Sequence, residues 1–404
     1  MKKLVLGLLA FVSVFNSYGQ EKSTEVVYRR SSLFTLMVTD ESRKFADVIE
    51  EAFTTAVLPD KFNDHTLNGR TIPKVYDETL SKNELKAAQL TAIGDHFTTN
   101  DVAKAMVAKW FNRDDQGAFN MDLISERGSY NATDLDVKIA QNSERGLATL
   151  ADAGEELIKT TFVVINDFKY ISKEEVADKA KKGLGAISGL MKKSRGGSKL
   201  ASGALDVAGK GYVIKTTSHL YKLVWNEETA AIFYNDHWID SSSIDPARKK
   251  AFEDSDIFKL ELIGTEVAWA DLQSTKFTKK SDAELVAVAT VKATDAVIAK
   301  LQRKYEVFRT KTPLLSGDPL SAKIGLKEGL EAGDKYEVLE QIIDENGKTA
   351  YERQGVIKVD KKQIWDNRFM AGEDAEQSGE TVKEYTQFKG GKNYYSGMLI
   401  RQIN

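Results

Sequence analysis

The residues best suited to acid–base chemistry or metal ligation are four histidines, His65, His96, His219 and His237. None pairs with another at metal-ligand spacing, a His-x-Glu-x-x-His pattern is absent, and the chain contains no Cys. His237 lies between Asp236 and Trp238 at the end of an expected strand. Catalytic histidines come with convergent partners, so a histidine on the rim of the fold is the expectation there. No Gly-x-Ser-x-Gly elbow is present. Ser241-Ser242-Ser243 precedes Asp245-Pro246 and reads as a turn and helix cap. The adjacent acids Glu50-Glu51, Glu155-Glu156 and Glu174-Glu175 sit on expected helices. Neighbours in sequence diverge around a helix axis, so these are solvated faces rather than acid/base pairs. The stretch Asp344 to Gly347 lacks the ligand spacing and distal Glu of a calcium loop and reads as a hairpin turn. Gly209-Lys210-Gly211 suggests a phosphate loop, but five residues separate Gly203 from Gly209 where four are needed. Gly211 also stands where a hydroxyl must hold magnesium. No metal and no cofactor are therefore expected.

What is left is charge. Residues 179–211 form a Gly/Lys-rich insertion, with seven basic residues and no acidic one between Lys179 and Leu205. Leu184, Ile187, Leu190 and Met191, then Leu200, Ala204, Leu205 and Ala208, recur at near-helical spacing around the break Ser194-Arg195-Gly196-Gly197-Ser198. That pattern predicts two short amphipathic helices able to lie on a bilayer but too short to cross one. Lys181, Lys182, Lys192, Lys193, Arg195 and Lys199 are the candidate surface-binding residues. Near an anionic lipid surface each contributes about 1 kcal/mol. A solvated crossover between strands and a protein-docking element are the competing readings, because helices this short and Gly-rich need packing to persist.

The elements that must carry this insertion follow from periodicity. Residues 33–38 predict a strand, followed by an amphipathic helix capped by Thr39 or Asp40, with its apolar stripe over 45–57, and stopped by Pro59. Residues 60–79 read as a polar connection. Helices are expected over 82–93, 100–111 and 134–159, a turn over 112–117, and a hairpin within 119–130 around Arg127-Gly128. Phe162-Val163-Val164-Ile165 does not alternate, which suits a strand covered by helices on both faces. Strands are expected over 212–225, 230–239, 258–263 and 265–272, with bulges at Ser218-His219 and Gly264. Ser281 and Glu284 form a capping box for a long helix. Beyond Thr312-Pro313 only short strands and turns follow: a hairpin of 335–343 with 348–359, then strands at 363–368, 384–388 and 395–403.

The fold class read from this pattern is α+β (mixed α/β). A signal peptide over 1–19 precedes a helix-flanked sheet domain over 24–311, and a small β-barrel-like domain occupies 313–404. Lys2-Lys3 followed by the apolar run 4–15 and the small residues Ser17 and Gly19 carries the signal-peptide reading. Its removal takes the formal charge from −3 to −5 by loss of two lysines, too acidic overall for a nucleic-acid binder. No later apolar run reaches the length of a membrane helix. Val356-Ile357-Lys358-Val359, Ile364-Trp365-Asp366-Asn367-Arg368 and Gly397-Met398-Leu399-Ile400-Arg401 resemble the C-terminal region of uncharacterised secreted proteins of Bacteroidota. The resemblance implies an envelope address, periplasmic or at the outer membrane or cell exterior, and no chemistry. The expected function is that of an exported, non-enzymatic cell-envelope protein. It would bind an anionic membrane surface, a glycan or an envelope protein through the basic segment or the barrel. The alternative is a hydrolase of a cell-wall or host polymer with a carboxylate pair that the sequence does not identify.

Overall fold

The computed structural model describes residues 29–128, 154, 156–172, 212–271, 281–345, 349–369, 371, 383–391 and 393–403. The insertion at 179–211, its six candidate cations, the signal-peptide stretch and the expected helix before residue 154 lie outside them. The protein has the expected mixed architecture, with two sheets and helices laid against the first.

The first sheet runs β2 (Phe62–Asp64), β1 (Ser31–Thr39), β4 (Thr161–Ser172), β5 (Tyr212–Leu223), β6 (Leu260–Asp271), with β3 (Thr71–Pro73) also on β1. β2, β3 and β4 are parallel to β1, whereas β5 and β6 continue antiparallel. β2 and β3 lie in the segment expected to be a mere connection. Each has three residues and a partner far away in sequence, so no local pattern announces them.

Both faces of the sheet are covered. Phe34, Leu36, Val163, Ile165, Tyr221 and Leu223 face α2 (Lys82–Thr99) and α3 (Val102–Trp110). Leu33, Met37, Phe162, Val164, Phe168 and Leu220 pack on the opposite face, where α1 (Ala46–Thr55) and the long helix over Asp282–Lys304 also lie. This explains the unbroken Phe162-to-Ile165 run, each of whose side chains is 0% exposed. Burying one such side chain contributes about 1.5–3 kcal/mol.

Several expectations fail. Residues 119–130 hold a helix, α4 (Asp122–Gly128), rather than a hairpin; the Asn120 side chain accepts the Asp122 N–H and starts it. Residues 230–239 are α5 (Glu227–Ile232) running into a π-turn (Phe233–His237), not a strand. Asn226 caps that helix through the Thr229 N–H, and Phe233 buries itself among Phe111, Trp225 and Phe119, so helical packing outweighs the β-like composition. Residues 258–263 and 265–272 are not two strands but one, β6, whose register against β5 shifts near Gly264 while Ser218 and His219 pair regularly. Asp245 does cap α6 (Pro246–Asp254), and Ser281 with Glu284 forms the capping box of α7 (Asp282–Lys304). α1 starts later than expected, with Phe45 rather than Thr39 or Asp40 at its N-cap.

The second sheet contains β7 (Thr312–Pro313), β13 (Leu399–Ile403), β10 (Lys335–Ile343), β11 (Thr349–Val359), β12 (Thr386–Lys389), β9 (Leu320–Ala322) and β8 (Ser316–Gly317), in that order and all antiparallel. It curls into a half-barrel around Val338, Ile357, Phe388 and Ile400. The expected strand at 363–368 is reduced to one bridge, Trp365 to Gly325.

Candidate functional site

The parallel and antiparallel halves of the first sheet differ in length, and that difference makes an overhang. β1 meets β4 last at Met37 and Asn166, yet β4 continues to Ser172, paired throughout with β5. Six residues at about 3.3 Å each project the β4–β5 hairpin roughly 20 Å past the pairing with β1. On one face of this overhang Phe168 and Ile214 pack with Ile49 and Phe53 of α1 and Leu285 and Val286 of α7. The other face carries polar rows read directly from the register. Asp167 stands opposite Thr217, and Thr217 opposite Val267; one row further out, Lys169 stands opposite Lys215, and Lys215 opposite Trp269.

Two lysines directly opposite each other on adjacent strands repel, at a cost of roughly 0.2–1 kcal/mol. Lys169 is exposed and Lys215 half-buried. Burial first, then the charges of Lys86 on α2 and of Lys169, hold the Lys215 ammonium below its ordinary range, with Asp167 opposing. Asp167 does not neutralise the pair, because other cations already hold it. Lys74 Nζ reaches both of its oxygens at 3.0 Å, and Arg43 Nη2 lies 3.7 Å away. Arg43 Nε in turn binds Asp40 at 2.5 Å, and Ser42 donates to Asp40 at 2.6 Å. Burial works to raise the Asp40 carboxyl, but the bonds from Ser42 and Tyr76 and the charges of Arg43 and Lys74 win and hold it below the usual range. These groups gather outside the carboxyl ends of β1 and β3, where ligands of open α/β sheets commonly bind. Among the described residues, Lys74 and Arg43 hold Asp167, and Lys86 and Lys169 act on Lys215 beside it.

The histidines divide differently. His65 is fully buried: its Nε2 donates to the Met106 carbonyl at 3.0 Å, and its Nδ1 accepts from Arg127 at 3.0 Å. It stacks on Trp110 at 4.8 Å, and burial followed by the Arg127 charge pushes its pKa down to about 3. Such a histidine holds the core. His219 bonds Thr265 at 2.8 Å on the sheet face, and His96 sits on α2 beside Asn100. His237 is not on the rim: it is 5% exposed, packed against Phe252 and Phe258, and neither ring nitrogen has a hydrogen-bond partner among the described residues.

A second polar feature is a crevice of about 10 Å³, room for one water, between α1 and α7. Arg70 and Asp295 line it. Arg70 is spent on the Thr35 hydroxyl at 2.6 Å and the Thr54 carbonyl at 2.6 Å. Asp295 lies 3.8 Å from Lys327, its Oδ2 has no hydrogen-bond partner among the described residues, and burial raises its carboxyl to about 6. Among the described residues no group of three or more His, Asp or Glu gathers as a metal site, and no helix is long and apolar enough to cross a membrane.

The expected binding cations lie between Ser172 and Tyr212, the paired residues at the tip of this same hairpin. Sequence reasoning passed over Lys86, Lys169, Lys215 and Trp269. The available signal was two lysines at matching distances from the ends of two strands, which means something only once the β4–β5 register is known. No protein-family model matches the chain, and no curated protein matches it.

Proposed function

We propose that the protein is an exported, non-enzymatic component of the cell envelope that binds an anionic surface or partner through the basic end of the β4–β5 hairpin. The observation that supports this reading best is the Lys169–Lys215 opposition. A like-charge pair with a third lysine beside it, and with the described acid that acts on it already engaged, opposes folding, and an anionic ligand relieves it. The basic residues of 179–211 fall in sequence between Ser172 and Tyr212 and lie outside the described residues. Export rests on the N-terminal sequence pattern.

The test is co-sedimentation with vesicles containing an anionic phospholipid, alongside retention on an immobilised acidic polysaccharide. The parent protein is expected to bind at least one of these at low salt. A Lys169→Gln/Lys215→Gln variant and a chain lacking residues 181–210 are expected to bind about tenfold more weakly. Undiminished binding by both variants contradicts the reading.

The hydrolase alternative requires two carboxylates facing a cleft that admits a polymer. Asp295 has the perturbed carboxyl such a site uses, but its crevice is the size of one water and its charged neighbour is Lys327. At the hairpin end the described acids Asp40 and Asp167 are held by Arg43 and Lys74.

A further inference from the structure

Trp269 completes the lysine row. It is the direct neighbour of Lys215 on β6, on the same face and half-buried, so the three side chains Lys169, Lys215 and Trp269 form one line across three strands. Opposed Cβ atoms lie about 5 Å apart, which makes the line about 10 Å long. The face of an indole is electron-rich and apolar, and it stacks against flat groups whose edges carry positive hydrogen. The C–H face of a pyranose ring is such a group. Beside it stand two ammonium groups, and Asp167, the described acid that acts on Lys215, is already bound by Lys74 and Arg43.

We propose that the Lys169–Lys215–Trp269 row is a subsite for an acidic sugar residue, whose ring stacks on Trp269 while its anionic group is held by Lys169 and Lys215. This rests on the reading of the hairpin end as an anion-binding surface and names the partner within it. The place of the tryptophan favours a saccharide over a bilayer. Aromatic groups that meet membranes stand at protruding positions, where they enter the headgroup layer, whereas Trp269 is half-covered within a strand.

The experiment titrates the full chain with oligogalacturonate, with its neutral methyl ester, and with anionic phospholipid vesicles, following tryptophan fluorescence and sedimentation. Oligogalacturonate is expected to bind and to change the fluorescence, and the methyl ester is expected to bind about tenfold more weakly. Trp269→Ala is expected to weaken oligogalacturonate binding about tenfold, while Trp269→Phe, which keeps a ring and guards against a folding defect, stays within about threefold. Lys169→Gln/Lys215→Gln is expected to abolish the preference for the acid over the ester. Vesicle binding without oligogalacturonate binding overturns the saccharide and leaves the anion-binding reading standing. Oligogalacturonate binding untouched by Trp269→Ala also overturns it, since the contact is then charge alone. Failure of the parent protein to bind either probe removes both readings together.

Discussion

His65 shows how much one buried side chain can settle. Its Nε2 proton is committed to Met106 and its Nδ1 lone pair to Arg127, so only the neutral ring fits, sandwiched with Trp110 under the Arg127 guanidinium at 4.6 Å. His65→Leu is expected to cost about 2–4 kcal/mol at neutral pH, because it removes an acceptor from a buried cation; urea unfolding measures it. The pH dependence follows from the direction of the shift. The folded value, about 3, lies below that of a free imidazole, so the unfolded chain takes up the proton first. This contribution is complete above about pH 6.5 and is lost as pH falls towards 3, by at most about 1.4 kcal/mol per unit. The parent is expected to show that acid slope and the His65→Leu variant to lack it. Sequence spacing gave no hint of Arg127 as the partner of His65, because 62 residues separate them. The same limit hid Lys169 and Lys215, whose charges are visible in sequence and whose opposition is not.

Elements were most legible where a short-range rule operates. Ser281-x-x-Glu284 starts α7 as a capping box in which both reciprocal bonds form. Gly264 does mark the irregularity between β5 and β6, and its cause is now visible. The Tyr305 ring packs where a Cβ would stand and donates its hydroxyl to the Thr265 carbonyl at 3.3 Å. Gly264→Ala is expected to destabilise by about 1–3 kcal/mol, through displacement of Tyr305, as a fall in the urea midpoint. Rules failed where packing decides. The run 230–239 has strand-like composition but is drawn into a helix and π-turn by an aromatic cluster assembled from α3, α6 and the segment after β5. α7 also carries an opposite pH signature to His65. Asp295 has a raised carboxyl, chiefly by burial, so its protonated form suits the fold. Stability from it is complete below about pH 4 and lost as pH rises through about 6. Asp295→Asn is expected to stabilise the protein by about 1–3 kcal/mol at pH 8 and to change little at pH 4. Thermal unfolding at the two values separates these outcomes.

At the scale of the whole molecule, the two sheets meet through polar contacts rather than through one shared core. Glu156 receives Lys311 at 3.0 Å and the Tyr351 hydroxyl at 3.0 Å, while Arg303 of α7 grips Asp334 beside β10 at 2.7 Å. The proposed division near Thr312 predicts that Glu156→Gln lets the two halves unfold separately, seen as non-coincident transitions by two probes. Composition and periodicity sufficed for the mixed class and for a curled C-terminal sheet. They could not show that the basic insertion springs from an overhanging hairpin whose own face is cationic, since that depends on how far β4 outruns β1. The central claim is that this overhang binds anions. Its most direct test is the dependence of binding to an acidic polysaccharide or anionic vesicle on salt, compared between the parent and Lys169→Gln/Lys215→Gln. The account predicts binding that weakens steeply as salt rises, as exposed charges are screened, with a clearly shallower dependence in the double variant. Equal slopes and equal affinities for the two proteins would contradict it.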